Sequence, residues 1–281
     1  MPQADKITIS YLMEKKRKGE KITMVTAYDY PSARMLDEVG IDTVLVGDSV
    51  GMVVLGYEST IPVTMDEMIH HCKAVSRAVK RSFIIGDMPF MSYQVSVEKA
   101  IENAGRFIKE GGCDAVKLEG GSEVAHIVKA IVDMGIPVCA HIGLTPQRAT
   151  MLSGYRVQGK DAETARTLIA SAKELERAGA FMIVMECIPD VLARIITKQL
   201  NIPTVGIGAG KDCDGQVLVY HDILGLFEKF VPKFVKQYAN LSIQIKEALK
   251  RFKEEVESGK FPTPEHAFHM DPEEAEKLLK G

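Results

Sequence analysis

The sequence predicts an α/β fold, a (βα)8 TIM barrel with extra C-terminal helices. Three observations predict it: eight short β-rich apolar runs in succession, amphipathic stretches between most of them, and polar residues where the runs end. Strands alternating with helices imply parallel βαβ units. A doubly wound sheet shares that alternation, and the count of eight favours the barrel.

The runs are ITMVTAY (22–28), DTVLVGD (42–48), SFIIGDM (82–88), AVKLEG (115–120), PVCAHIG (137–143), FMIVME (181–186), PTVGIGAG (203–210) and GQVLVY (215–220). Between them, SVEKAIENAGRFIKEGG (96–112) and AETARTLIASAKELERAG (162–179) read as helices. The second repeats apolar residues at i, i+3 and i+4 and stops at Gly179, a C-terminal signal. Residues 226–260 predict one or two further helices, followed by FPTPEHAF (261–268) and the charged end DPEEAEKLLKG. The expectation is a single domain over 1–281, with the barrel at about 21–225 and a helical appendage at 226–281. Ser49 to Val63 is a long apolar loop, suited to closing over a site or packing against a partner subunit.

Composition narrows the function classes. Hydrophobic residues make up 46% and charged residues 26%, enough for a sizeable core without staples. Lys plus Arg number 35 and Asp plus Glu 38, a net charge of −3. That balance argues against nucleic-acid and acidic-membrane partners, which need a basic excess. KKRK at 15–18 is too short to change this and reads as a solvated helix face. No apolar run approaches a membrane span, and the N-terminus lacks the apolar core of a signal peptide. The five cysteines, at 72, 113, 139, 187 and 213, form no CxxC pair, which fits a reducing cytoplasm rather than a disulfide framework or a zinc site.

The chemistry lies in what ends the strands. Asp48, Asp87 and Glu119 end the second, third and fourth runs; His141 lies near the end of the fifth and Glu186 ends the sixth. In parallel barrels these ends share the face that carries active sites. Adjacent strands lie roughly 4.8 Å apart, so three carboxylates there are within reach of one point. They repel unless a cation sits among them, and an all-oxygen set favours Mg2+ over zinc. Lys117 and Glu119 share one face by strand alternation, whereas Val116 and Leu118 face the helices. A lysine directed into a barrel must be paired or ligand-bound. Gly47 and Gly86, before the two aspartates, are expected to leave room at the mouth.

Any one such Asp is more ordinarily a turn former or helix cap. Three on consecutive strands with an inward Lys favour a site. For His141 a satisfied core histidine and a site residue stay equally open. Glu186, behind an apolar run, is a candidate base, with a rim salt bridge as its bland alternative. GIGAG (206–210) fits close turn packing and is not a dinucleotide fingerprint. One of His70 and His71 is expected to face solvent, and the methionines from 65 to 91 to fill core. Cys187 points away from Glu186 if the strand continues and is not read as a nucleophile.

The strings TAYD (26–29), LVGDSVGMVVLG (45–56), PVTMDEMIHH (62–71), GDMPFMSY (86–93), AVKLEGG (115–121), AHIGLTPQ (140–147), VMECIP (184–189), VGIGAG (205–210) and DGQVLVYHDILG (214–225) resemble those of the ketopantoate hydroxymethyltransferase family. FPTPEHAF extends the resemblance into the tail, so it covers nearly the whole chain. It implies a barrel of the phosphoenolpyruvate/pyruvate-like type, a Mg2+ ion, and 5,10-methylenetetrahydrofolate as co-substrate. The implied reaction carries a one-carbon unit to 3-methyl-2-oxobutanoate through a metal-stabilised enolate, giving 2-dehydropantoate on the way to pantothenate and coenzyme A. By resemblance, Asp48, Asp87 and Glu119 are metal acids. Asp48, Ser49, Asp87, Lys117 and His141 contact the keto acid, and Glu186 is the general base. The resemblance also implies a cytoplasmic homo-oligomer, often a decamer.

Two rivals stand beside this. One is a Mg2+-dependent carbon–carbon lyase for a 2-oxo or 2-hydroxy diacid. Relatives of that kind often carry Lys-Lys-Cys-Gly-His, absent here, where the fourth run continues into EGGSE. The other is a non-catalytic anion-binding barrel, against which three convergent acids weigh.

Overall fold

In the computed structural model, which describes residues 5–148, 151, 154 and 156–280, eight parallel strands close into one barrel in sequence order. The strands are β1 (Ile22–Thr26), β2 (Thr43–Val46), β3 (Phe83–Asp87), β4 (Ala115–Glu119), β5 (Val138–Gly143), β6 (Met182–Glu186), β7 (Thr204–Ile207) and β8 (Gly215–Leu218). Each coincides with one of the eight apolar runs. Closure is the β1–β8 pairing, with Met24 opposite Val217.

The helices are α1 (Ile9–Lys18), α2 (Tyr30–Glu38), the short α3 (Val50–Val53), α4 (Met65–Ala78), α5 (Val97–Lys109), α6 (Ala125–Asp133), α7 (Ala162–Arg177), α8 (Asp190–Gln199), the short α9 (Tyr220–Ile223), α10 (Leu241–Glu257) and α11 (Pro272–Lys280). Their starts follow local chemistry. Thr64 and Glu67 form a reciprocal capping box on α4, and Asp161 accepts the N–H groups of Glu163 and Thr164 at the head of α7.

Strand alternation sorts the core into two layers. Val116, Leu118, Ala140, Ile183 and Met185 pack outward against the helices. Met24, Leu45, Ile85, Cys139 and Val184 fill the barrel interior with Phe83 and Phe181, whose rings meet edge to face 5.5 Å apart. Gly86 belongs to the outer layer, not the mouth. A Cβ there would lie 2.3 Å from Phe107 on α5, so the missing side chain lets the helix seat against the sheet. Of the methionines between 65 and 91, Met68 and Met88 are buried, whereas Met91 is exposed.

The base of the barrel is plugged by α1, with Ile7 and Leu12 buried beneath the interior layer. Its basic run is only partly solvated. Lys15 pairs with Asp42 at the foot of β2, and Lys16 with Asp214 at the foot of β8, both at 2.7 Å. Two of the four positive charges thus tie the plug to the rim, a long-range pairing that helix patterning does not reveal.

Residues 226–240 are not helical. Phe227, Phe230 and Phe234 have near-helical spacing, but Pro232 removes a backbone donor and disfavours helix in the residue before it. The segment instead runs across the C-terminal mouth and brings these aromatics to the cavity there. α10 and α11 form the rest of the tail. Among the described residues, no helix is long and apolar enough to cross a membrane.

Asp37 at the end of α2 anchors the entry to β3. Its carboxylate accepts the N–H groups of Lys80, Arg81 and Ser82 at 2.9, 3.0 and 2.7 Å. Burial opposes its charge, but the three donors outweigh that and hold the carboxyl below its ordinary value. Asp37→Ala is expected to lower stability at pH 7 by about 1–2 kcal/mol in denaturant titrations. Because the folded-state value is depressed, the contribution exists above about pH 4 and fades as pH falls through that value. The gap between variant and parent should therefore narrow in acid.

Candidate active site

The C-terminal ends of the strands surround a cavity of about 510 Å3. Asp48, Ser49, Asp87, Lys117, Glu119, His141 and Glu186 all line it. Asp48, Asp87, Lys117, Glu119 and His141 are each no more than 4% exposed, and Glu186 is the more open of the acids. Strand parity explains most of this. Asp87, Lys117, Glu119, His141 and Glu186 end strands in phase with inward residues. Asp48 does not, since β2 ends at Val46 and Leu45 already faces inward. The turn at Gly47 brings it in. A Cβ on Gly47 would lie 2.9 Å from Ser49 Oγ, so glycine does leave room at the mouth here.

The charges form an ordered chain around the mouth. Lys117 lies opposite Asp87 in the β3–β4 register, and its Nζ donates to Asp87 Oδ1 at 2.6 Å. It is 3.8 Å from Glu119 Oε1. Burial disfavours the ammonium, but Asp87, Glu119 and Asp48 outweigh that and hold its pKa above the ordinary lysine value. The Asp48 N–H donates to Asp87 Oδ2 at 3.2 Å. Burial and the like charges of Asp87 and Glu119 push the Asp48 carboxyl well above its usual range. Burial also raises Asp87, against the pull of Lys117.

His141 stands between two acids. Its Nδ1 is 3.4 Å from Glu119 Oε1 and its Nε2 3.3 Å from Glu186 Oε2, with hydrogen-bond geometry met at neither nitrogen. Burial and the Lys117 charge oppose protonation of the ring. The carboxylates overcome both and bring its pKa to about 9. The two acids thus favour the protonated ring, and Glu119 in turn is held low, burial being outweighed by His141 and Lys117. Four carboxylates facing one ammonium and one imidazolium leave two negative charges when all are ionised.

The three acids share one face without closing on a single point. Lys117 stands between Asp87 and Glu119, while Glu119 turns toward His141 and the loop after β5. Among the described residues, no three His, Cys, Asp or Glu side chains form a compact ligand cluster.

Gln147, which motif reading did not single out, ties the two sides together. Its N–H donates to Glu119 Oε2 at 3.1 Å, and its Nε2 donates to Asp48 Oδ2 at 3.0 Å and Met88 O at 2.9 Å. The hydroxyl of buried Tyr93 donates to its Oε1 at 2.8 Å. The only signal was its place, six residues after His141 on a loop leaving the active face. On β1's side, Tyr28 Oη lies 2.8 Å from Ser49 Oγ, and His71 Nδ1 lies 2.6 Å from Tyr28 O, while His70 faces solvent. Ser49, Met52, Val53 and Thr60 line the cavity, so the apolar loop does lie over the site.

Cys187 departs from the alternation argument. The strand ends at Glu186, the backbone turns left-handed with φ 47°, and Cys187 also lines the cavity. Its thiol is half-buried, and burial with the Glu186 charge pushes it up to about 12, the opposite of a nucleophile's tuning. The GIGAG glycines serve packing, since side chains at 206, 208 and 210 would meet Cys213, Phe234 and Asp190. Gly143 has the same role: with φ 94°, a Cβ would lie 2.3 Å from Glu186 O.

Compared with known families, residues 6–264 match the model described as ketopantoate hydroxymethyltransferase. The chain belongs to this family. It is 58% identical to the 3-methyl-2-oxobutanoate hydroxymethyltransferase of Carboxydothermus hydrogenoformans, over 98% of this chain and 99% of that protein. It is 59% identical to the enzyme of the same name from Moorella thermoacetica, over 95% and 100%. A solved 2,3-dimethylmalate lyase, of the PEP mutase/isocitrate lyase superfamily, superposes with a TM-score of 0.58 at 15% identity, covering 96% of this chain and 94% of that one. At that identity the likeness concerns the fold, and the ketopantoate hydroxymethyltransferase family thus shares its barrel with lyases.

Replacing Gln147 by Leu removes the donors to Asp48 and Met88 and the acceptor at 2.8 Å from the Tyr93 hydroxyl, which keeps only its contacts with the Glu119 backbone. A loss of about 1–3 kcal/mol is expected in equilibrium unfolding, with a lower thermal midpoint. An unchanged midpoint would show that this amide does not hold the site together.

Proposed function

We propose that this chain catalyses the reaction of its family. A one-carbon unit passes from 5,10-methylenetetrahydrofolate to 3-methyl-2-oxobutanoate, giving 2-dehydropantoate and tetrahydrofolate with one water consumed. The observation that carries the residue assignments is the Lys117 ammonium, buried against Asp87 and Glu119 in the cavity that Glu186 borders.

A divalent cation fits the residues present. Asp48, Asp87 and Glu119 offer only oxygen donors, and Asp48 in particular is forced toward protonation by its like-charged neighbours. Mg2+ needs only one or two carboxylates and keeps several waters, so a closed ligand cluster is unnecessary. Asp48 and Asp87 are the residues assigned to hold it, with Glu119 as the third acid. When bound, the ion supplies Lewis acidity toward the 2-oxo group.

The chain's own groups do the rest. Lys117 binds the substrate carboxylate and adds positive charge where the enolate develops. Ser49, steadied by Tyr28, donates to the bound keto acid. Glu186 removes the proton from C3; C3 then bonds to the methylene carbon as one of its C–N bonds breaks, and the consumed water replaces the other nitrogen with a hydroxyl, the two freed nitrogens taking the C3 proton and a proton of that water. His141, whose Nε2 lies 3.3 Å from Glu186 Oε2, positions that carboxylate. The partly open side of Glu186 gives the proton a way out.

The reading includes a homo-oligomer, decameric by resemblance. Its support is the stripe Ile245, Leu249, Phe252 and Val256 along α10, each 46–61% exposed.

Deuterium exchange at C3 of 3-methyl-2-oxobutanoate, followed by NMR in D2O, tests the base. Glu186→Gln should slow exchange about 100-fold or more while leaving keto-acid affinity largely intact; exchange at the parental rate would remove Glu186 from the role. Asp48→Ala should weaken Mg2+ in a calorimetric titration, and unchanged binding would overturn the metal assignment.

A further inference from the structure

The cavity has a second half that the keto-acid chemistry does not use. From β7 onward, Ile207, Val219, Phe227, Phe230 and Phe234 line it, together with Lys233. Five acids line the cavity, and four belong to the charge chain of Asp48, Asp87, Glu119 and Glu186. The fifth is Asp222, on α9 just after β8.

Asp222 is 8% exposed and lines this cavity. Among the described residues, its carboxylate accepts no hydrogen bond and forms no ion pair. Burial alone pushes its carboxyl up to about 6. A buried carboxylate without a partner is costly, and the native state of most such groups supplies one. Here the group lines the cavity, so the partner is a ligand. Its position also adjoins the keto-acid half, because its charge reaches the hydroxyl of Tyr28, which lies 2.8 Å from Ser49 Oγ.

The ligand must satisfy two requirements at once. It must offer a planar ring face to the phenyl rings of the annex, and it must present N–H donors along its edge to two carboxylate oxygens. The 2-amino-4-oxopteridine ring of the folate co-substrate does both. Its N3–H and 2-amino group form an adjacent donor pair, and its reacting nitrogen lies at the opposite end of the fused system. We propose that Asp222 recognises the pterin ring of the one-carbon donor, accepting from N3–H and the 2-amino group while the ring occupies the Phe227, Phe230 and Phe234 annex. Paired charge-assisted hydrogen bonds of this kind are among the stronger and more directional ones. The assignment rests on the proposed folate-dependent reaction, and it names the half of the cavity where the donor sits.

The test is equilibrium binding of tetrahydrofolate to the Mg2+- and keto-acid-loaded protein, by anaerobic calorimetry. Asp222→Asn places an amide donor against the 2-amino group and should weaken tetrahydrofolate about 10-fold or more, with a matching rise in KM for the methylene donor. Folate-independent C3 exchange serves as the fold control. A tetrahydrofolate analogue lacking the 2-amino group should lose affinity for the parent protein but little more for Asp222→Asn. Parental tetrahydrofolate affinity in a variant that still exchanges C3 overturns the proposal, as does an equal loss for the analogue in both proteins. Should Asp222→Asn fail to exchange, Phe230→Ala decides, since Phe230 is 68% exposed and contributes little buried area to the fold. Weakened tetrahydrofolate binding with intact exchange supports the annex, and unchanged binding overturns it. A parent protein that exchanges C3 but binds no tetrahydrofolate sinks the folate reading and this assignment with it, whereas one that binds tetrahydrofolate without exchange sinks only the keto-acid roles.

Discussion

The ion pair between Lys117 and Asp87 organises the active face. Both groups are almost fully buried, and neither is tolerable there alone. Once the ammonium is seated, Glu119 can remain ionised at 3.8 Å, and His141 can carry its proton between Glu119 and Glu186. The charges therefore support one another from the turn after β2 round to β6, most of them placed by the C-terminal half of a strand and Asp48 by the turn at Gly47. A barrel suits this, because its interior layers stay apolar below while the mouth concentrates charge above. Phe83, Phe181 and their neighbours keep water from beneath the cluster, so its electrostatics act in a low-dielectric floor.

The fold was legible because period-two alternation has only two phases. In β4 the same reading that sends Val116 and Leu118 to the helices sends Lys117 and Glu119 inward, and both pairs lie where parity puts them. Asp87, His141 and Glu186 follow by the same rule. Where the chain leaves the strand, the rule ends. Asp48 and Cys187 reach the cavity through backbone turns, one after Gly47 and one at a left-handed residue, and alternation would direct both elsewhere.

The remaining gaps have a common cause, namely partners distant in sequence. Gln147 matters because its amide meets Asp48, 99 residues away, and no local pattern marks that. Gly86 resembled Gly47 in its setting before an aspartate, yet its neighbour is Phe107 on α5. Lys15 and Lys16 looked like surface charge until the feet of β2 and β8 supplied their carboxylates. Of the helices expected over 226–260, the part at 226–240 did not form, and the backbone cost of Pro232 accounts for it.

That last segment bears on the order in which the molecule is made. The barrel closes only when β8, Gly215–Leu218, reaches β1, and the aromatic wall of the cavity follows it in the chain. A ribosome therefore delivers every acid of the charge cluster, and then the strand that closes the ring, before the residues that roof one half of the pocket. In chain order, then, the vessel's charged floor and the strand that seals it come first, and the lipophilic side of the chamber comes last.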